Sequence, residues 1–111
     1  MIGLPKTGSA VAHAVDAWAD DGPGVQVKPL MDDPSGYRTT LMRVDPGPLG
    51  EAHFHDEIEQ VYVIDGDFFD EEASYGPGDL IVRAGGAMHR SGSKNGCTML
   101  LIYTPAAKSG S

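Results

Sequence analysis

The chain has 111 residues, 41% of them hydrophobic, and sets 16 acidic side chains against 8 basic ones for a formal net charge of −8. That length suits one domain with one core, and no apolar run approaches the length of a membrane span. The acidic balance, with Lys and Arg scattered along the chain, repels a phosphate backbone and excludes nucleic acid as the expected partner.

One cysteine, Cys97, excludes an internal disulfide and a cysteine-rich zinc site; at the start of an apolar strand it reads as a small core residue. Met1 to Trp18 lacks the basic start and long apolar centre of a secretion signal, so the expected location is cytoplasmic.

In chain order, Gly3, Pro5 and Gly8 predict a mobile start. Residues 1–20 are expected to form an N-terminal arm, 21–105 a single domain and 106–111 a flexible tail. Val11, Val15 and Trp18 are spaced for a short helix, although the same stretch suits an edge strand; His13 reads as a surface residue. Asp20-Asp-Gly-Pro-Gly24 is a turn signal, Val25–Lys28 alternates as a strand ended by Pro29, and Asp32–Gly36 is a second turn. Tyr37–Val44 reads as a strand with Thr39, Leu41 and Arg43 on one face and Arg38, Thr40, Met42 and Val44 on the other. A kinked Pro46–Gly50 loop leads on towards Val61–Ile64, a run apolar on both faces as in a buried strand. Asp65-Gly66 predicts a hairpin returning through Phe68-Phe69. Gly76-Pro-Gly78 turns the chain into Leu80–Val82, Ala84–Ala87 loops it to Met88-His89, Ser91–Gly96 is a polar turn, and Thr98–Thr104 is the last strand before Pro105.

The acidic clusters Asp20-Asp21, Asp32-Asp33 and Asp70-Glu71-Glu72 fall at expected turns and read as solvated loops. Short strands at regular turn spacing predict an all-β sandwich or small barrel. Apolar residues on both faces of its central strands leave an outer face to bury, which predicts a homodimer.

Chemistry concentrates in Gly47–Gly66 and Gly78–His89. His53 and His55 are two apart, so on a strand both side chains point to one face. Glu59 can rejoin them across the Asp56–Ile58 turn, and His89 arrives from a more distant strand. A His-x-His pair alone is ordinarily a solvated strand end. Three imidazoles and a carboxylate together form a donor set for one divalent transition metal, Fe, Mn, Ni, Cu or Zn, and suit Ca or Mg poorly.

The spacing Gly47, His53, His55, Glu59, Gly66 resembles the first motif of the cupin superfamily without a gap. Gly78, Gly86 and His89 resemble the second, with Ala84 where proline is usual and Ser93 where asparagine is usual. Gln60 competes as the fourth ligand, but counting back from Gly66 places Glu59 in register. Gly24–Leu30, Gly66–Glu72 and Gly96–Leu100 further resemble the ChrR-type group, which is similar to dioxygenases that cleave acetylacetone and related β-dicarbonyls.

The resemblance implies a small jelly-roll barrel of antiparallel strands with metal ligands His53, His55, Glu59 and His89 inside one mouth. Val61, Val63, Leu80, Val82, Met88 and Leu101 are expected to line the cavity. Parity with His53 favours Thr39, Leu41 and Arg43 as the inward face, with a reset of parity at the Pro46–Pro48 kink as the alternative; Arg43 itself reads as a surface charge. Ser91 and Ser93 read as turn formers, not as members of a catalytic triad.

The expected ligand is a small oxygen-chelating organic molecule, and the expected activity is dioxygenase-like. Glu59 is then a metal ligand or, as in acetylacetone-cleaving relatives, a base free of the metal. The alternatives are a zinc-binding or sensory module without turnover and a metal-dependent isomerase of a small sugar acid.

Overall fold

Burial alternates without a break along Cys97–Thr104: Cys97, Met99, Leu101 and Tyr103 are buried, and the residues between them are half-exposed. This is the two-residue period of a strand with one face on a core. The computed structural model describes residues 1–13, 17–49, 56–84 and 90–105. Within them lie β1 (Ala19–Asp20), β2 (Val25–Asp32), β3 (Arg38–Val44), β4 (Gly47–Pro48), β5 (Ile58–Gly66), β6 (Phe68–Asp70), β7 (Ser74–Tyr75), β8 (Leu80–Arg83), β9 (Ser91–Ser93) and β10 (Cys97–Thr104). The described residues contain no helix, and therefore none long and apolar enough to cross a membrane.

The strands form two antiparallel sheets, one of six strands in the order β1-β2-β3-β10-β5-β8 and one of four in the order β4-β9-β6-β7. The core lies between them: Val44, Val61, Val63, Ile81, Met99 and Leu101 come from the larger sheet, and Phe68, with Tyr75 packed alongside, from the smaller. Val61, Val63 and Met99 are almost wholly buried, each worth roughly 1.5–3 kcal/mol relative to exposure.

Cross-strand register decides which residues face that core. Met99 pairs with Val63 and the half-buried Met42, and Val61 with Ile81 and Leu101, so core residues lie opposite core residues. On β3 the inward set is Arg38, Thr40, Met42 and Val44. The inward face expected for Thr39, Leu41 and Arg43 is therefore reversed: Arg38, Thr40, Met42 and Val44 are the residues that pair with the buried Tyr103, Leu101, Met99 and Cys97. Arg43 is a surface charge, bonded to Gln26 and stacked 4.6 Å over the Trp18 ring.

On β8 the buried residue is Ile81, while Leu80 and Val82 are 53% and 61% exposed. These two were expected to line the cavity and instead face outward; Val61, Val63 and Leu101 are buried as expected, and Met88 lies outside the described residues. Tyr62 and Ile64 are likewise exposed on the outer face of β5.

Asp65-Gly66 does not form a hairpin. β5 pairs with β10 and β8, whereas β6 pairs with β7 and β9, so the chain changes sheets at this point. Gly66 has φ +84°, and a Cβ there would lie 2.0 Å from the Gly96 carbonyl oxygen. The glycine serves close backbone approach between two strands, not a two-residue turn.

The chain start is attached: Ile2 bridges Met31 in parallel, and the Leu4 N–H donates to Asp33. Ala19–Asp20, within the expected arm, pair with β2. Ser91–Ser93, expected as a turn, is the strand that joins β4 to β6. Part of the segment read as a helix or an edge strand, residues 14–16, and the tail 106–111 lie outside the described residues.

Candidate metal centre

Both histidine-bearing segments attach at one end of the sandwich. In the larger sheet, Glu59 near the start of β5 lies opposite Arg83 at the end of β8. In the smaller sheet, the Leu49 N–H donates to the Ser91 carbonyl at 2.9 Å, and Ser91 lies opposite Asp70. Residues 50–55 run from Leu49 towards β5, and residues 85–89 run from β8 towards Ser91. His53, His55 and His89 belong to these two segments and lie outside the described residues. Of the expected ligands only Glu59 is described, and no three His, Cys, Asp or Glu among the described residues gather as a metal cluster. His13 is exposed.

Glu59 shares the inward face of β5 with Val61 and Val63, and Gln60 takes the opposite parity. Its carboxylate is held from both neighbouring strands. From β8, Arg83 Nη1 donates to Glu59 Oε1 at 3.3 Å. From β10, the Tyr103 hydroxyl donates to the same carboxylate, and burial, reinforced by the Glu59 charge, pushes the Tyr103 phenol far above its ordinary pKa. Tyr103 is therefore a hydrogen-bond donor at every physiological pH. The Arg38 guanidinium lies 4.3 Å over the Tyr103 ring and forms an ion pair of 2.8 Å with Glu57.

Arg83 continues the network into the smaller sheet. Its Nη2 donates to Asp70 Oδ2 at 3.1 Å, its guanidinium stands 5.8 Å from the Phe68 ring centre, and its Nε is buried without an acceptor among the described residues. Asp70 also accepts from the Tyr75 hydroxyl and from the backbone N–H groups of Glu72 and Ala73. Burial raises the Asp70 carboxyl pKa, but those two backbone donors, with Arg83 and Tyr75, outweigh it and hold the group below its ordinary value. The Asp70 side chain is only 2% exposed, so the solvated-loop reading of the Asp70-Glu71-Glu72 cluster fails at its first residue. Asp70 is an interior anion that ties one sheet to the other.

Arg83, Asp70 and Tyr103 were not identified from sequence. Arg83 shares a face with Ile81, but only the pairing of Ile81 with Val61 shows that this face of β8 is the inward one.

Ser93, expected as a turn former, is the last residue of β9 and pairs with Gly47. Its hydroxyl donates to Asp67 and accepts from the Gly96 N–H, closing the loop before β10. Cys97 is buried, and burial pushes its thiol pKa up, which leaves it a core residue and not a nucleophile.

The ChrR cupin-like domain family matches residues 7–107. No curated protein matches the chain. Among solved structures the chain is similar to KdgF from Halomonas sp., with a TM-score of 0.74 at 25% identity over 92% of this chain and 97% of that one. It is similar to an RmlC-like cupin protein from Ralstonia eutropha JMP134, with a TM-score of 0.77 at 19% identity over 89% of this chain and 69% of that one. It is also similar to the complex of Rhodobacter sphaeroides SigE with the anti-sigma ChrR, with a TM-score of 0.70 at 22% identity over 79% of this chain. This chain covers 49% of that one, about half its length. The all-β architecture is thus the jelly roll expected from the motifs, built here of two sheets that do not close into a continuous barrel.

Proposed function

The chain belongs to the ChrR cupin-like domain family, and on that basis we propose that it is a metal-binding cupin with dioxygenase-like activity on a small oxygen-chelating organic substrate. The observation that carries the reading is the common end of the sandwich. Glu59 opposite Arg83 in one sheet, and Leu49 bonded to Ser91 in the other, anchor both segments that hold the imidazoles.

The donor chemistry fits. Glu59 is an inward-facing carboxylate whose two oxygens offer more acceptor sites than Arg83 and Tyr103 occupy. His53, His55 and His89 supply three nitrogens, and with Glu59 they would hold one divalent transition metal. When bound, that ion would offer open positions to two substrate oxygens and to O₂. The chain's own part is to orient and to exclude water. Tyr103 and Arg83 direct the Glu59 carboxylate, while Val61, Val63 and Leu101 form a dry wall beside it. The substrate class is a β-dicarbonyl or an enolate.

Tyr62, Ile64, Leu80 and Val82 on the outer face of β5 and β8 support association of two copies through that face.

The test is elemental analysis of protein from its native host, followed by oxygen uptake on adding acetylacetone. Fe, Mn or Cu with oxygen consumption is the expected result. Tight zinc without turnover would assign a non-catalytic module, and turnover of a sugar acid without oxygen an isomerase. His53→Ala and His89→Ala should each lose most of the metal, and full retention by both would reject the site.

A further inference from the structure

Cross-strand pairing carries one row of outward side chains over five strands of the larger sheet: Lys28, Leu41, Leu100, Tyr62 and Leu80. Tyr62 and Leu80 are exposed, with Ile64 and Val82 beside them, while Leu41 and Leu100 are half-exposed. A contiguous apolar surface of this kind marks an interaction site. Two residues further along the strands, a second row runs Gln26, Arg43, Thr98 and Asp65. The charged outward residues on β2, β3, β10, β5 and β8 are thus Lys28 and Arg43 on one side of β10 and Asp65 on the other. Arg43 leans away from Asp65, since its Nε donates to Gln26 and its guanidinium stacks on Trp18. Neither Arg43 nor Asp65 has an ion-pair partner among the described residues. Two strand spacings, roughly 10 Å, separate them.

We infer that a second copy of this chain packs face to face on the sheet about a two-fold axis parallel to β10, with Arg43 of each copy paired to Asp65 of the other. The inference rests on the association of two copies proposed above, and adds its symmetry and its charge pairs. Sheets packed face to face keep their strands within about 30° of one another. An axis along β10 lays β3 of one copy over β5 of its partner, row upon row. Arg43 then meets the partner's Asp65, Leu41 meets the partner's Tyr62, and Leu100 meets its own symmetry mate. Symmetry makes each unlike contact twice. An axis across the strands instead sets each charge over its own copy or over the neutral row of Thr39, Ile102 and Gln60. The apolar rows supply the burial, and the two ion pairs select this orientation against the others.

Charge reversal in the full chain, read by sedimentation at low ionic strength, tests this. Arg43→Asp sets carboxylate against carboxylate at both junctions, and Asp65→Arg sets guanidinium against guanidinium. Each variant alone should self-associate at least about tenfold more weakly than the unaltered chain. Mixed in equal amounts, the two should recover the unaltered affinity as a heterodimer, because each junction again holds one cation and one anion. Both positions are exposed, which favours folding of the variants. A chain carrying both reversals should self-associate as the unaltered chain does, and decides the point if a single variant fails to fold. Unaltered self-association of both single variants, or no recovery in the mixture and the double variant, would overturn the inference while leaving association through this face intact. A monomeric unaltered chain would overturn both.

Discussion

Arg83 and Asp70 join the two sheets of the jelly roll through a 3.1 Å ion pair in which the aspartate is 2% and the arginine 13% exposed. The pair lies at the end of the sandwich where the segments bearing the three histidines attach. Its burial makes it costly to break, since removing one partner leaves the other charge without compensation.

Asp70→Ala should therefore cost about 3–5 kcal/mol of unfolding free energy, measured by urea denaturation at neutral pH. A change under about 1 kcal/mol, the range of exposed pairs, would show that the pair is solvated. Glu57→Ala, whose partner Arg38 is 37% exposed, is the internal comparison and should fall within that range.

Stability should decline on acidification from the carboxylate side. Backbone donation from Asn95 holds Asp67 below its ordinary pKa, the Ser35 hydroxyl does so for Asp33, and the donors described above do so for Asp70. A carboxyl depressed in the folded state contributes stability that is fully present above the unfolded value of about 3.9 and is lost as pH falls through the lower folded value. The urea midpoint should be flat from pH 7 to pH 5 and fall below about pH 4. Asp67→Asn should flatten part of that fall, and an unchanged acid limb would reject its role.

Gly66 and Gly76 should respond oppositely to the same substitution. Gly66→Ala puts a Cβ 2.0 Å from the Gly96 oxygen at a φ of +84°, and should cost at least about 2 kcal/mol. Gly76 has open space around its Cα and no positive φ, so Gly76→Ala should stay within about 1 kcal/mol. Thermal melts of the two variants decide the point.

The outer face of β5 and β8 should govern association. Tyr62 lies directly opposite Leu80, and Ile64 and Val82 extend the same exposed apolar surface. Sedimentation should give a dimer for the unaltered chain and a monomer for Val82→Glu, with the fold retained because residue 82 faces away from the core. A monomeric unaltered chain would remove the case for this face as an interface.

Much of the fold was legible because it is local. Turn residues at Asp20–Gly24, Asp32–Gly36 and Gly76–Gly78, with two-residue alternation between them, mark the strands and the all-β class. Glu59, not Gln60, could be placed inward because its spacing from Gly66 is fixed along one strand. Arg83 and Asp70 were illegible for the opposite reason. They are 13 residues apart and in different sheets, and Asp70 opens an acidic run whose composition looks like a solvated turn. Leu80 and Val82 misled because a short apolar run has no visible parity; pairing of Val61 with Ile81 supplies it.

By itself, the order of residues determined the strands, the turns and a candidate donor set, all of which depend on neighbours a few positions apart. Only the tertiary structure decided which face of each strand is inside, that Gly66 passes the chain from one sheet to the other, and that Arg83 stands between Glu59 and Asp70. Those outcomes depend on register between distant strands, where a shift of one residue turns every side chain to the opposite face.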